Sequence, residues 1–226
     1  MSNQINYEQR DRIAIITMDD GKANAFSPNM MSALDAALNQ AEEQESIVIL
    51  RGRPGKFSAG FDLSVMAEGP AASQAMVKTG ALLARRMLAF PYPIICGCTG
   101  HAMAMGAFTL LTADVRIGVD GPFKIGLNEV AIGMTMPYFG IIIAEWRLSK
   151  RHIIRALNNA DIYDPKSAVS AGYLDATIAS EDLDAALLDK AEQLKKLNLK
   201  AYADTKSRSR EALLNNLDEA IAKEFS

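Results

Sequence analysis

The sequence predicts an α/β fold. Short β-branched runs alternate with longer stretches of helical periodicity along the chain. Several of the short runs are apolar without a break, as strands buried on both faces of a parallel sheet are. Glycines and prolines punctuate the junctions between them. The chain has 226 residues, 49% of them hydrophobic and 23% charged. That composition supports a sizeable core in a globular protein and speaks against a disordered one.

The elements follow in order. Residues 12–18, RIAIITM, read as a strand. Residues 27–44 read as a helix, with Ser27 as N-cap, Pro28 at its first position, and Met31, Leu34, Leu38 and Ala41 at helical spacing. SIVILRG (46–52) reads as a strand buried on both faces, and RPGKFSAG (53–60) as a loop. A helix is predicted over 71–90, ended by Pro91 and Pro93. PIICGCTG (93–100) is another buried strand, and MGAFTLLTA (105–113) an uncharged, buried helix. Strands follow at 114–119 and 123–127, separated by a Gly121-Pro122 turn. Helical stretches are predicted near 137–148, 149–159 and 165–171, and a last strand at 175–179. From about 181 onward the chain reads as charged amphipathic helix.

Several function classes are disfavoured at this level. Net charge is −3 and no basic tract stands out, so no nucleic acid is expected as a partner. The longest apolar runs are too short to span a bilayer, so no membrane partner is expected. The opening MSNQINYEQRDR has neither an apolar signal core nor an Arg-rich leader, and the expected location is cytoplasmic. Cys96 and Cys98 read as reduced thiols in a buried strand, and no His/Cys/carboxylate cluster has metal-ligand spacing. Dinucleotide, P-loop and nucleophile-elbow signatures are absent. A serine hydrolase built on Ser58 would need a base, and the only histidines are His101 and His152.

Three segments remain. KFSAGFDL (56–63) is a small-residue loop around Gly60. GHAMAMGAF (100–108) turns into a helix, whose first N–H groups have no internal partner. Together the two can supply a pair of oxyanion donors, and both also read as ordinary βα loops. GLNEVAIGM (126–134) sets one carboxylate, Glu129, among apolar residues, where an unpaired charge is costly.

These segments, with KSAVSAGYLD (166–175), carry a resemblance to the enoyl-CoA hydratase/isomerase, or crotonase, superfamily. It spans about residues 10–200. The resemblance implies a crotonase-like spiral of ββα units with a C-terminal helical region. On that reading, residues 1–195 form the acyl-CoA-binding core and 196–226 a helical oligomerisation segment, in a homotrimer or hexamer. The implied oxyanion donors are the backbone N–H groups of Phe61 and Met105. Ser58, Ala59, Gly60, Asp62, Gly106 and Phe108 are the implied substrate-binding positions. The ligand is an acyl-CoA, with its adenine near the first loop and coenzyme A part of the substrate. No separate cofactor and no metal are implied. Where relatives often have a glycine-rich second loop, this chain reads AMAMGA.

The family's hydratases use two glutamates. Glu129 matches the second, and the first position falls on Phe108. One carboxylate plus an oxyanion hole suits Δ3,Δ2-enoyl-CoA isomerisation in fatty-acid oxidation. The apolar neighbours of Glu129 would raise its pKa and strengthen it as a base. The alternatives are hydration or another enolate-forming thioester reaction, a CoA-binding protein with little catalysis, and RNA binding, which a few relatives show. For Glu129 itself, the plain alternative is an ion pair with a cation such as Lys124.

Overall fold

The computed structural model describes residues 4–225. A six-stranded sheet runs β1 (Ile5–Arg10), β2 (Ile13–Met18), β4 (Ile47–Arg51), β7 (Ile94–Cys98), β9 (Val115–Val119), β11 (Ala176–Ile178) in spatial order. β1 and β2 form an antiparallel hairpin, and every other pair is parallel. A second, parallel sheet holds β5 (Gly55–Ser58), β8 (Gly100–Met103) and β10 (Ile125–Gly126), with β8 in the middle. β3 (Ala25–Phe26) and β6 (Gly60–Phe61) make a third, two-stranded pair.

The repeating unit is visible in this order. β2, β4, β7 and β9 each lie in the main sheet and are followed by a short strand in one of the smaller ones: β3, β5, β8 and β10. A helix then returns the chain: α1 (Pro28–Glu43), the pair α2 (Leu63–Met66) and α3 (Pro70–Ala89), α4 (Met105–Thr112) and α5 (Tyr138–Arg147). This is the spiral of ββα units that the resemblance implies. α6 (Ile153–Leu157), α7 (Pro165–Ala171), α8 (Leu183–Lys195) and α9 (Leu199–Glu224) complete the chain.

The unbroken apolar runs have a direct cause. Side chains alternate across a strand. Ile13, Ile15, Ile47, Ile49 and Ile95 pack with Leu183, Leu187 and Ala191 of α8 on one face. Ala14, Ile16, Val48, Leu50, Ile94 and Cys96 join the larger core on the other, with Leu34, Leu38 and Met87. Each fully buried large side chain contributes roughly 1.5–3 kcal/mol relative to exposure. Ser27 caps α1 as predicted, its hydroxyl accepting from the Met30 N–H at 3.2 Å.

Four readings need correction. β1 was not anticipated: it is a polar edge strand with only Ile5 buried, so it lacks the apolar signature. Residues 53–60 are not simply a loop, since they contain β5 and run into β6. The 149–159 stretch yields only the five residues of α6. The strand predicted over 123–127 shrinks to Ile125–Gly126.

α9 lies against α3 and α5. Its anchor is polar. The Asp114 carboxylate, at the start of β9, accepts from Lys206 Nζ at 2.7 Å, Arg210 Nη2 at 2.6 Å and the Ile94 N–H at 2.7 Å. Lys206 and Arg210 also donate to the carbonyls of Tyr92 and Leu88. Burial lowers the Lys206 pKa to about 8, which the Asp114 charge opposes. Asp114→Ala would strand two buried cations. The expected loss is about 3–5 kcal/mol, measured by urea unfolding. A loss below about 1 kcal/mol would mean that α9 is held by its apolar face alone.

Candidate active site

The small sheet gathers the site. β5, β8 and β10 are parallel, so the segments leaving their C-terminal ends emerge on one side. Those segments are 59–62, 104–105 and 127–129. The central position of β8 sets the start of α4 between the other two.

The first loop is fixed from beneath. Ser58 is buried; its hydroxyl donates to the Asn24 carbonyl at 2.6 Å and accepts from the Gly60 N–H at 3.1 Å. Asn24 Nδ2 in turn donates to the carbonyls of Met18, Lys56 and Phe57. Gly60 has φ +97°, and a Cβ there would stand 2.8 Å from Ala104 Cβ and 3.0 Å from the Met103 carbonyl. The same point lies 3.5 Å from Met105 N. In the β3–β6 pair the Asp62 N–H points to the Phe26 carbonyl at 3.4 Å. Successive residues of a strand present their N–H groups to opposite edges, so that of Phe61 faces away from β3.

The second loop turns at Ala104. With φ 48° and ψ −119°, this alanine occupies backbone space that favours glycine. The AMAMGA sequence therefore reaches its turn under strain of order 1–3 kcal/mol. The Ala104 N–H is pinned to the Gly126 carbonyl at 3.0 Å. Met105 is the first residue of α4, so its N–H has no partner within the helix. All eight residues of α4 are buried, which leaves the positive end of its dipole poorly screened. Gly106 lets α4 press against β5, since a Cβ would meet Ser58 Cβ at 2.8 Å.

Between the loops lies a cavity of about 90 Å³ lined by Ala59, Phe61, Ala104, Phe108 and Glu129, among others. Leu63, Met66 and Val77 give it one apolar wall, and Ile132, Met134 and Pro137 another. Phe108 is fully buried and leans on Phe139, ring centroids 5.4 Å apart. Glu129 is 5% exposed, and its Oε2 has no hydrogen-bond partner among the described residues. No ion pair among those residues involves it, so the Lys124 pairing is not seen. Burial raises its pKa to about 7, against weak opposition from its own backbone N–H. Its backbone is held by bonds from the Ile132 and Met134 N–H groups to the Glu129 carbonyl.

The anticipated residues thus separate. Ala59, Phe61, Phe108 and Glu129 line the cavity; Met105 follows the lining residue Ala104, and its N lies 3.5 Å from where a Cβ on Gly60 would stand. Ser58, Gly60, Asp62 and Gly106 are not among the residues that line it. The first two and Gly106 shape the loops from behind, and Asp62 caps α2, accepting from the Ser64 N–H at 2.9 Å. Asn24 and Ala104 were missed. Their signal is conformational, a positive φ in each, and a one-letter sequence does not display it. Among the described residues no group of side chains could hold a metal ion, and no helix is long and apolar enough to cross a membrane.

Comparison with known proteins supplies the family context. A sequence profile of the enoyl-CoA hydratase/isomerase family matches residues 8–226. A crystal structure of an enoyl-CoA hydratase/isomerase family protein from Pseudomonas syringae is 49% identical. It superposes with a TM-score of 0.97 over 99% of this chain and 97% of its own. Human mitochondrial enoyl-CoA delta isomerase 1 is 28% identical over 94% of this chain and 76% of its own. A probable enoyl-CoA hydratase from Bacillus subtilis is 25% identical over 85% and 74%.

The Glu129 environment has a thermodynamic consequence. Its folded pKa of about 7 lies above the ordinary 4.5. Below about pH 4.5 the proton is held in both folded and unfolded states, and its stabilising contribution is full. As pH rises through about 7 that contribution is lost, and the difference is of order 3 kcal/mol. Glu129→Gln removes the titration. The variant is expected to be more stable than wild type by about 1–3 kcal/mol at pH 8, with the gap closing toward pH 4.5. Urea unfolding at both pH values measures this; a gap that does not change with pH would mean that the carboxyl is solvated.

Proposed function

The chain is a member of the enoyl-CoA hydratase/isomerase family, and from that premise we propose that it is a Δ3,Δ2-enoyl-CoA isomerase of fatty-acid oxidation. One observation carries the choice within the family. A single buried carboxylate, Glu129, faces the cavity, and the α4 position that bears a glutamate in the family's hydratases is Phe108.

The substrate is a 3-enoyl thioester of coenzyme A, which needs no separate cofactor. Its thioester oxygen sits between the Phe61 and Met105 N–H groups. Glu129 takes a proton from C2, the electron pair delocalises into a dienolate, and the two N–H groups stabilise the developing oxyanion. The protonated Glu129 returns the proton at C4, and the double bond moves into conjugation. A pKa near 7 suits a group that must act as base and then as acid within one turnover. The apolar walls and the Phe108 ring favour exclusion of water from the dienolate.

The reading also carries a homotrimeric or hexameric assembly and a cytoplasmic location. Exposed Val130, Ile132, Tyr138 and Ile154 are consistent with a buried face in such an assembly.

Wild type is expected to isomerise a 3-enoyl-CoA much faster than it hydrates crotonyl-CoA, with kcat/KM rising as pH passes through about 7. Absorbance of the conjugated thioester follows both reactions. Faster hydration would transfer the assignment to the hydratases.

Glu129→Gln keeps the shape and loses the base. Its isomerase kcat should fall by about 10²–10⁴, while affinity for a saturated acyl-CoA stays close to wild type. Undiminished turnover would place the base elsewhere.

A further inference from the structure

Three buried polar atoms in or beside the cavity lining lack partners among the described residues, Asn128 Oδ1, Glu129 Oε2 and the Tyr173 hydroxyl, and the roles of the last two are complementary. Glu129 Oε2 is an acceptor without a donor, and the Tyr173 hydroxyl is a donor without an acceptor. Tyr173 is fully buried. It follows Gly172, whose φ of +100° ends α7 and turns the chain inward. Its ring packs on Tyr163, centroids 5.5 Å apart. The Tyr163 hydroxyl is already engaged with His152 Nδ1 at 3.2 Å, so it does not serve Tyr173.

Tyr163 and Ile125 of β10 exchange two backbone hydrogen bonds of 2.9 Å, which sets the Tyr163–Tyr173 ring pair beside the strand that leads into Leu127 and Glu129. Burial drives the Tyr173 pKa upward first. The charges of Tyr163 and then Glu129 push it further, and the backbone N–H of Leu127, two residues before Glu129, opposes them. These are the titratable groups that face Tyr173. Behind Tyr163 stand His152 and Arg155, whose guanidinium is 5.9 Å from the Tyr163 ring and is paired with Asp161. No charged side chain pairs with Glu129 among the described residues, so the carboxylate has no other ionic partner to orient it.

We infer that Tyr173 is a positioning residue for Glu129, its hydroxyl donating to one buried water that in turn donates to the carboxylate. The inference rests on Glu129 being the base of the proposed isomerase. Tyr173 keeps its own proton throughout, because burial and the neighbouring charges disfavour the phenolate. The water's bond occupies one carboxylate oxygen and leaves the other free for C2 and C4. A donor to the carboxylate stabilises the charged form, so this contact holds the Glu129 pKa below the value that burial alone would impose.

Tyr173→Phe tests the contact, since it removes one oxygen and keeps the ring. In protein labelled with ¹³C at glutamate carboxyls, the Glu129 resonance is assigned by its absence in Glu129→Gln and titrated in both backgrounds. The expected result is a Glu129 titration shifted upward in Tyr173→Phe by about half to one pH unit. The pH profile of kcat/KM should move with it, and kcat should fall about 3–10-fold at an unchanged KM. An unshifted titration in a variant with wild-type thermal unfolding would overturn the inference. Full activity of Glu129→Gln would instead overturn the base assignment, and the titration, which needs no turnover, tells the two failures apart.

Discussion

At Gly60 and Ala104 two segments from different ββα units come into contact. No Cβ fits at position 60, because the Ala104 methyl and the Met103 carbonyl already occupy that space. This close approach brings the edge of β6 beside the first residue of α4, with Met105 N 3.5 Å from where a Cβ at position 60 would stand. The contact forces a cost on the second loop. Ala104 takes a positive φ, which costs an alanine strain, and its surroundings hold it there. Its N–H is tied to Gly126 in the small sheet, and α4 behind it is buried from end to end.

The same burial governs the carboxylate. An apolar region that keeps the α4 dipole unscreened also denies Glu129 solvation, and one environment thus acts on the helix N-terminus and the carboxylate together. Phe108 is the hinge of this arrangement. It fills the wall of the cavity with ring carbon where a second carboxylate would bring charge, and its partner Phe139 fixes it from α5. A hydrated cavity would undo both effects at once, because water would screen the dipole and restore an ordinary carboxylate.

The main-sheet strands were legible because they are buried on both faces, and nothing but an unbroken apolar run satisfies two cores. β1 was illegible for the opposite reason: five of its six residues face solvent at least in part. β5 and β6 are four and two residues long and rich in Gly and Ser, so neither periodicity nor propensity marks them. The site shows the same division. Glu129 stood out because a lone carboxylate among apolar residues requires an explanation. Ser58 and Gly106 face each other across the β5–α4 junction, and spacing alone does not distinguish the lining of a cavity from its backing. Tyr173 carries no distinguishing mark in the sequence. Its importance lies in an unpaired hydroxyl, which only the surroundings reveal.

The far end of the molecule bears on the cavity through the helices that wall it. Val77, in the cavity lining, belongs to α3, and Pro137, also in the lining, is the residue before α5. α9 packs on both helices, and the Asp114 cluster fixes α9 to the end of the main sheet. The seating of both lining residues is therefore tied to α9. A buried ion cluster is not a strong source of net stability, since desolvation offsets much of its attraction. What it supplies is register, because Lys206 and Arg210 can reach one carboxylate and two specific carbonyls in a single seating of α9. An apolar face alone would tolerate sliding by a turn, and a sliding α9 would let α3 and α5 drift. The polar anchor is thus placed where precision of the cavity walls needs it, remote from the chemistry but in series with it.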